Sequence, residues 1–218
     1  MNLQPKSQPE QAVAGTSNYS RAPRMAKEDR REQLLATALN AFADGGYHTT
    51  SMDDIAAAAG VSKPVLYQHF PGKRELYLAL VEYTLVDLSA KLDHSLAASD
   101  VNRTRVESMI DTHFEFVEHQ PQAHRLVFSA DLLAFPEVAD RLNNFYDSLA
   151  GIIASVLGPN VGIPHTQAAM LGRGLVQMVQ TAAVYWAQHP ESGSRQEAQE
   201  QVFRLAWGGI SILDEDWQ

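Results

Sequence analysis

The sequence predicts an all-α protein of about nine helices. Apolar residues recur at intervals of three and four along most of the 218-residue chain, and this spacing places them on one face of a helix. One such series comprises Leu78, Val81, Leu85, Leu88, Leu92 and Leu96. No stretch alternates apolar and polar residues over the length of a strand, so no sheet is expected.

The N-terminal part of the chain predicts a tail followed by a first helix. Residues 1–24 are rich in Gln, Pro, Ser, Ala and Asn and lack a repeating apolar pattern, so we expect them to be disordered. The first helix should run from about Lys27 to Asp44 and end at Gly45-Gly46. Its apolar stripe comprises Leu34, Leu35, Ala38, Leu39 and Phe42.

Two short helices should follow between residues 49 and 70. Thr50 or Ser51 can cap the first of them, with Asp53 or Asp54 three residues further on in the relation of a capping box. These residues predict the start of a helix immediately after them.

The second short helix is predicted to present an outward face. Gly60 can take the left-handed conformation that stops the preceding helix. Ser62 can cap the next helix, with Pro64 in its first turn. On a helical wheel the outward positions are Pro64, Val65, Tyr67 and Gln68, while Ile55, Val61, Leu66 and Phe70 form a small core. This is the arrangement of a helix-turn-helix, whose second helix enters the major groove of DNA.

Six further helices are predicted after the Pro71-Gly72 turn. The first runs from Lys73 to about Ala98 and is the one mechanical link that we expect between the N-terminal unit and the rest of the chain. The others are expected at residues 102–119, 121–129, from 136 onward, 165–188 and 194–213. Gly158-Pro159 and Gly162 to Pro164 predict a loop after the helix that begins at residue 136.

Charge is divided unevenly along the chain. The formal net charge is −9, but residues 1–74 hold 9 Lys and Arg against 7 Asp and Glu, a net charge of +2. Residues 75–218 hold 8 basic against 19 acidic residues, a net charge of −11. The acidic excess therefore lies outside the predicted helix-turn-helix, where it can repel nucleic acid and orient the approach of that unit.

Composition excludes several classes of protein. The chain has no cysteine, so it has no disulfide, thiolate metal site or cysteine nucleophile. No apolar run approaches the roughly 18 residues of a membrane span, and the N-terminus lacks an apolar signal core. No Gly-rich phosphate loop, Gly-x-Ser-x-Gly or His-Glu-x-x-His occurs. We therefore expect a cytoplasmic protein that is not an enzyme, makes no contact with membranes and carries no cofactor.

One helix face carries a possible metal-ligand pattern. Asp111, Glu115 and His119 are spaced at i, i+4 and i+8, with His113 and His124 nearby. Such a face can bind a metal, but it is more typical of a solvated surface stripe. We predict no metal site.

From about Lys27 to Leu80 the chain resembles the TetR family of transcriptional regulators. The resemblance rests on Gly46-Tyr47, Thr50-x-x-x-Asp54-Ile55-Ala56, Ser62-Lys63-x-x-Leu66-Tyr67-x-His69-Phe70, Lys73 and Glu75-Leu76. Each motif is widespread by itself, whereas the combination is specific. It implies a DNA-binding domain over residues 25–72 and a ligand-binding and dimerisation domain over residues 73–218.

The resemblance also implies which side chains contact double-stranded operator DNA. It assigns phosphate contacts to Thr50, Tyr67, His69 and Lys73, and hydroxyl, imidazole and ammonium groups suit that task. Contacts to bases would then come from Lys63, Pro64, Val65 and Gln68. Lys63 can reach guanine acceptors, Pro64 or Val65 can touch a thymine methyl group, and Gln68 can pair with adenine.

The last two predicted helices are apolar on more than one face, so they need two partners. Small residues at Gly172, Gly174, Gly208 and Gly209 permit close approach of backbones. In the resembled family these helices form the four-helix interface of a homodimer. The alternative is that the glycines accommodate helix packing within one chain.

The central helices are rich in large apolar side chains. The resemblance implies a cavity for a hydrophobic small molecule among Leu85, Leu88, Leu92, Ile110, Phe114, Val117, Phe128, Phe145, Leu149, Ile152 and Met178. The alternative for each of these residues is plain core.

A narrower resemblance covers parts of the body and links the chain to the actinobacterial regulators of fatty-acid synthase expression. It rests on residues 47–48 and 62–70, residues 113–119, Arg125-Leu126-Val127-Phe128, residues 136–139, Tyr185-Trp186 and residues 206–209. It implies long-chain acyl-coenzyme A as the effector, with Arg105, Arg125, Arg141 or Arg173 as the cation that meets the coenzyme phosphates. The alternative is a TetR-like repressor of an efflux or catabolic gene that responds to another hydrophobic molecule.

Overall fold

The computed structural model describes residues 26–128 and 135–213, which form nine α-helices and one short 3₁₀ helix. The helices are α1 Lys27–Gly45, α2 Met52–Ala58, α3 Lys63–His69, α4 Lys73–Ala97, α5 Asn102–His119, α6 Pro121–Phe128, α7 Pro136–Val161, α8 His165–Gln188 and α9 Arg195–Ser211, with the 3₁₀ helix at Pro190–Ser192. The predicted all-α class is confirmed. The predicted N-terminal tail, and Ser129 at the end of the sixth predicted helix, lie outside the described residues.

Local signals set the ends of the two short helices. Ser51, rather than Thr50, caps α2: its Oγ accepts a hydrogen bond from the Asp54 amide at 3.1 Å, and the Asp54 carboxylate accepts from the Ser51 amide at 2.9 Å. Gly60 has a φ of +65° and turns the chain out of α2. Pro64 lies in the first turn of α3, where a missing amide proton costs nothing.

The predicted loop at Gly158-Pro159 is wrong, because α7 continues to Val161. A proline inside a helix removes the bond to the carbonyl four residues earlier and crowds that carbonyl, but here the loss is confined to the last turn. Gly162, with a φ of +70°, ends the helix, and its amide and that of Ile163 both donate to the Gly158 carbonyl. The loop is therefore reduced to residues 162–164.

Two long helices, α7 and α8, lie antiparallel along their length. Arg173 pairs with Asp147, and Gly172 meets α7 one turn further along, so that a Cβ at Gly172 would lie 2.9 Å from the Ala150 carbonyl oxygen. Glycine is thus required at position 172 for the two backbones to approach. Helices α4, α5 and α9 pack around this pair, and one hydrophobic core runs from α1 to α9.

The DNA-binding unit contacts the body through more than α4, which corrects the expectation of a single link. Helix α6 packs against α1, and the Tyr77 hydroxyl on α4 donates to the Leu126 carbonyl on α6. The Tyr47 ring lies edge-on to Tyr77 at 5.1 Å and to Phe135 at 5.4 Å. These aromatic side chains are large enough to bridge the elements, so α4, α6 and the start of α7 all hold the helix-turn-helix.

Candidate functional site

Helix α3 presents one exposed face. Lys63, Pro64, Tyr67 and Gln68 are exposed and fall within 140° of one another at 100° per residue. Val65, next to this face, and His69, further round the helix, are half-buried. Leu66 is fully buried on the opposite side and fixes the orientation of the helix, so the outward residues are free to contact a groove.

Lys63 is held by an acidic neighbour. Its Nζ lies 2.6 Å from the Asp53 carboxylate at the start of α2, and both side chains are more than half exposed. This hydrogen bond and charge raise the pKa of Lys63. Lys63 therefore stays an ammonium and is available to DNA once Asp53 releases it.

Thr50 and Lys73, predicted to contact phosphates, fix the turn between α1 and α2. The Thr50 side chain is buried, and its hydroxyl lies 3.1 Å from the Ala41 carbonyl and 2.9 Å from the Gly46 carbonyl. The Lys73 ammonium donates to the carbonyls of Tyr47 at 2.8 Å, His48 at 3.2 Å and Thr50 at 3.1 Å. Both side chains thus stabilise the turn between α1 and α2, a role that the sequence did not predict.

His69 lies beside a basic flank that the sequence analysis did not assign to the DNA surface. Burial, followed by the charges of Lys27, Arg31 and Arg30 on α1, lowers its pKa. The Arg31 guanidinium lies 4.6 Å from the centre of the Phe70 ring. These three cations at the start of α1 therefore adjoin the edge of α3, where phosphates of a bound duplex would pass.

Two cavities lie in the body. The first, which we call the apolar cavity, measures about 290 Å³ and lies between the end of α4, the start of α5 and helices α7, α8 and α9. Its apolar walls include Val106, Met109, Ile110, Ile152, Ile153, Leu157, Leu175 and Val179, with Asp93, Asn102 and Arg105 also lining it. Of the predicted ligand-binding residues, Ile110 and Ile152 line it.

The second cavity, which we call the polar cavity, measures about 910 Å³ and lies between α6, α7 and α8. Its polar lining includes His124, Arg125, Asn143, Gln177, Gln180, Thr181 and Gln188. Phe128, another predicted ligand-binding residue, and Tyr146 also line it. The volume of the polar cavity is typical of a small-molecule site, and that of the apolar cavity is close to the lower end of the usual range.

The remaining predicted ligand-binding residues line neither cavity. Leu85, Leu88, Leu92, Val117, Phe145 and Leu149 are buried in the core. Phe114 and Met178 border a depression between α8 and α9, together with Tyr185 and Trp186.

The four candidate cations differ in their surroundings. Arg141 pairs with Glu82, and Arg173 pairs with Asp147. Arg105 lines the apolar cavity and donates to the Ser99 carbonyl. Arg125 is exposed at the polar cavity, and no carboxylate in the described ranges pairs with it.

The side chains of the possible metal-ligand face are engaged elsewhere. Arg195 on α9 binds Asp111 at 2.7 Å, and Gln199 also donates to this carboxylate. The His119 ring bonds to the Glu115 carbonyl rather than to its carboxylate. Across residues 26–128 and 135–213 no three acidic or histidine side chains are grouped closely enough to hold a metal, and no helix there is long and apolar enough to span a bilayer.

A buried polar chain connects three helices. The Gln180 amide oxygen on α8 accepts from His113 Nε2 on α5 at 2.5 Å, and the Gln180 amide nitrogen lies 2.9 Å from His124 Nε2 on α6. Burial is the main cause that lowers the pKa of His113 and of His124 to about 4. Both imidazoles are therefore neutral at physiological pH. The sequence did not predict this chain, because His124 and His113 lie 56 and 67 residues before Gln180.

The outer face of α8 and α9 is apolar and exposed. Met170, Tyr185, Leu205 and Ile212 expose more than half of their surface. A Cβ added at Gly174, Gly208 or Gly209 would meet no atom within 4 Å, in contrast to Gly172. Of the four glycines, only Gly172 is thus explained by packing within the chain.

Comparison with known proteins places this geometry in a family. Residues 34–80 match the model of bacterial regulatory proteins of the tetR family. The HTH-type transcriptional activator FasR from Mycolicibacterium smegmatis is 36% identical over 191 residues, which are 88% of this chain and 87% of that protein.

Solved structures share the fold. A TetR-like regulator from Rhodococcus sp. RHA1 has a TM-score of 0.70 at 24% identity, covering 86% of this chain and 99% of that one. The transcriptional regulator FadR from Bacillus subtilis, solved in complex with stearoyl-CoA, has a TM-score of 0.67 at 16% identity, covering 80% and 96%. The chain therefore belongs to the tetR family of bacterial regulatory proteins and is a DNA-binding transcriptional regulator rather than an enzyme.

Proposed function

We propose that the protein is a homodimeric regulator of fatty-acid biosynthesis genes that binds operator DNA through α3 and responds to long-chain acyl-coenzyme A. Residues 25–72 bind DNA, and residues 73–218 bind the effector and the second protomer. The proposal places the protein in the cytoplasm with the chromosome. The observation that carries it is the exposed face of α3 in a chain of this family.

Base contacts come from the exposed face of α3. Lys63 and Gln68 carry the polar groups that hydrogen-bond to base edges, while Pro64 and Val65 supply apolar contact. Tyr67 and His69 contact phosphates beside the groove in this proposal, together with the cations at the start of α1. Thr50 and Lys73 act there by holding the turn that precedes α2.

Dimerisation is supported by the exposed face of α8 and α9. Met170, Tyr185, Leu205 and Ile212 expose more than half of their surface on this face, and a group of exposed apolar side chains marks an interaction site. A two-fold dimer also gives two recognition helices, which reach successive major grooves about 34 to 36 Å apart. One seven-residue helix contacts too few base pairs to find a genomic site alone.

The acyl-coenzyme A class is supported by three independent features. The narrower sequence resemblance points to it, the FadR neighbour was solved with stearoyl-CoA, and the body holds an apolar cavity beside a polar one. Arg125 at the polar cavity is the cation best placed for coenzyme phosphates, because the carboxylates near Arg141 and Arg173 already pair with them.

The switch is a change in the spacing of the two recognition helices. An effector between α6, α7 and α8 shifts α6, which contacts α1, as well as α4, which continues into the body. A coupling free energy of roughly 1 to 3 kcal/mol changes DNA affinity about 5- to 150-fold.

The test is a titration of labelled upstream DNA with the purified protein at one fixed salt concentration, followed by fluorescence anisotropy with and without palmitoyl-coenzyme A. Specific binding that shifts with the acyl ligand in either direction supports the proposal. Specific binding that ignores acyl ligands refutes the effector class and favours a regulator of efflux or catabolic genes. Absence of specific binding refutes the assignment of α3.

A further inference from the structure

The two cavities lie end to end along the antiparallel pair α7 and α8. The polar cavity is lined by α7 between residues 139 and 146, and the apolar cavity by α7 between residues 152 and 157. Ten residues of helix separate Tyr146 from Val156, which corresponds to about 15 Å. A ligand that occupies both cavities must therefore be elongated, whereas a small one fills only one of them.

The buried polar chain lies where the cavities adjoin. On α8, Val179 lines the apolar cavity and its neighbour Gln180 lines the polar one. On α5, His113 follows Ile110 of the apolar cavity by one turn. Polar groups at such a position destabilise a core unless they are fully paired, so their presence needs a reason beyond packing.

The hydrogen bonds of Gln180 leave the ring proton of His124, as well as the second amide proton of Gln180, without an acceptor in the described part of the chain. Gln180 accepts through its oxygen from His113 and donates through its nitrogen to His124 Nε2, so the ring proton of neutral His124 is on Nδ1. No acceptor for that proton is found among the described residues. His124 is 6% exposed and lines the polar cavity.

His124 lines the polar cavity, and its Nδ1 has no hydrogen-bond partner among the described residues. The Nδ1–H of His124 is a neutral donor. The imidazole ring is held in a fixed orientation by the bond of its Nε2 to Gln180 and by stacking on the Phe128 ring, at 4.8 Å between ring centres. Such a group suits a neutral acceptor such as a carbonyl oxygen.

We propose that the Nδ1–H of His124 donates a hydrogen bond to the carbonyl oxygen of an acyl thioester whose alkyl chain extends into the apolar cavity. Gln180 and His113 are positioning residues that keep His124 in the required tautomer. The inference rests on the proposed effector class. Because His124 belongs to α6, which packs on α1, this bond forms on the element that reaches the DNA-binding unit.

The experiment compares two ligands that differ at one atom. Palmitoyl-coenzyme A has the thioester carbonyl oxygen, and S-hexadecyl-coenzyme A, a thioether, lacks it. Isothermal titration of the full-length protein should show that the thioester binds about tenfold more tightly, the usual effect of leaving a buried donor unpaired. Equal affinities, with the DNA response intact, would overturn the inference and leave the proposed function standing.

Two substitutions of His124 locate the effect. His124→Gln places an amide near the position of Nε2 and keeps the bond to Gln180 while removing the Nδ1 donor, so both ligands should bind with the lower affinity. His124→Asn places its amide near the position of Nδ1 and should keep part of the preference. His94→Asn, at an exposed position on α4, is the control and should behave as wild type.

The outcomes distinguish a failure of the His124 contact from a failure of the proposed effector class. A tenfold preference that persists in His124→Gln overturns the inference. Failure of the wild-type protein to bind either ligand overturns both the inference and the effector class. The comparison of ligands on the wild-type protein needs no variant to fold, so equal affinities there overturn the inference whether or not the variants are stable.

Discussion

The neutral histidines of the buried chain make stability depend on pH. Burial lowers the pKa of His113 and of His124 to about 4, whereas an unfolded histidine titrates near 6.5. As the pH falls below 6.5, the two histidines bind protons in the unfolded chain but stay neutral in the folded chain, so the free energy of unfolding falls. The loss continues until the pH reaches about 4.

The size of the effect follows from the two pKa values. At pH 5 the unfolded pKa lies 1.5 units above the solution pH, so each buried histidine lowers the free energy of unfolding by about 2 kcal/mol. Two such residues remove about 4 kcal/mol from a total that is typically about 5 to 15 kcal/mol. Hydrogen bonds from Ser51 and from Arg74 lower the pKa of Asp54 and of Glu137, respectively.

Urea denaturation at pH 7.5 and pH 5, at one protein concentration, measures the difference. His124→Gln keeps the bond to Gln180 and cannot titrate, so this variant should lose about 2 kcal/mol less than wild type on acidification. His94→Asn, at an exposed position, should lose as much as wild type. The reasoning is refuted if His124→Gln loses as much stability as wild type between the two pH values.

Other substitutions test the DNA surface, the core and the interface. Gln68→Ala should lower operator affinity about tenfold and leave random-DNA affinity unchanged in competition anisotropy, because a bidentate base contact is worth about 1 to 3 kcal/mol; equal losses would show that Gln68 does not recognise sequence. Gly172→Ala should destabilise by about 1 to 3 kcal/mol in urea denaturation, because its Cβ would meet the Ala150 carbonyl oxygen. The control Gly151→Ala, with no atom within 4 Å, should stabilise α7 by about 0.5 to 1 kcal/mol. Leu205→Glu should convert the dimer to monomer in sedimentation velocity, and an unchanged dimer would place the interface elsewhere.

The sequence predicted the features that local chemistry determines. The capping pair of Ser51 and Asp54, the left-handed Gly60 and the proline in the first turn of α3 each act within a few residues, so the ends of α2 and α3 follow from the sequence. Pro159 shows where a local rule fails. A proline predicts the end of a helix, but in the last turn only one hydrogen bond is lost, and Gly162 supplies the true end.

Features that depend on distant residues could not be predicted in this way. Lys73 carries a charge suited to phosphate, yet its ammonium bonds to three carbonyls some 23 to 26 residues earlier. The chain through Gln180 joins three helices that only the tertiary fold brings together. A periodic pattern shows that a residue faces inward, but it does not distinguish Ile110, at a cavity wall, from Leu88, in plain core.

The contacts between α6 and the DNA-binding unit are of the right strength for a switch. Besides the packing of α6 on α1 and the bonds of Lys73 to the turn before α2, the junction includes the hydrogen bond from Tyr77 to the Leu126 carbonyl and the aromatic contacts of Tyr47 with Tyr77 and Phe135. Hydrogen bonds and aromatic pairs of this kind contribute about 0.5 to 1.5 kcal/mol each, and typical allosteric coupling is about 1 to 3 kcal/mol. Because the two quantities match, the proposed switch needs an effector to rearrange only one or two of these contacts, without unfolding the junction.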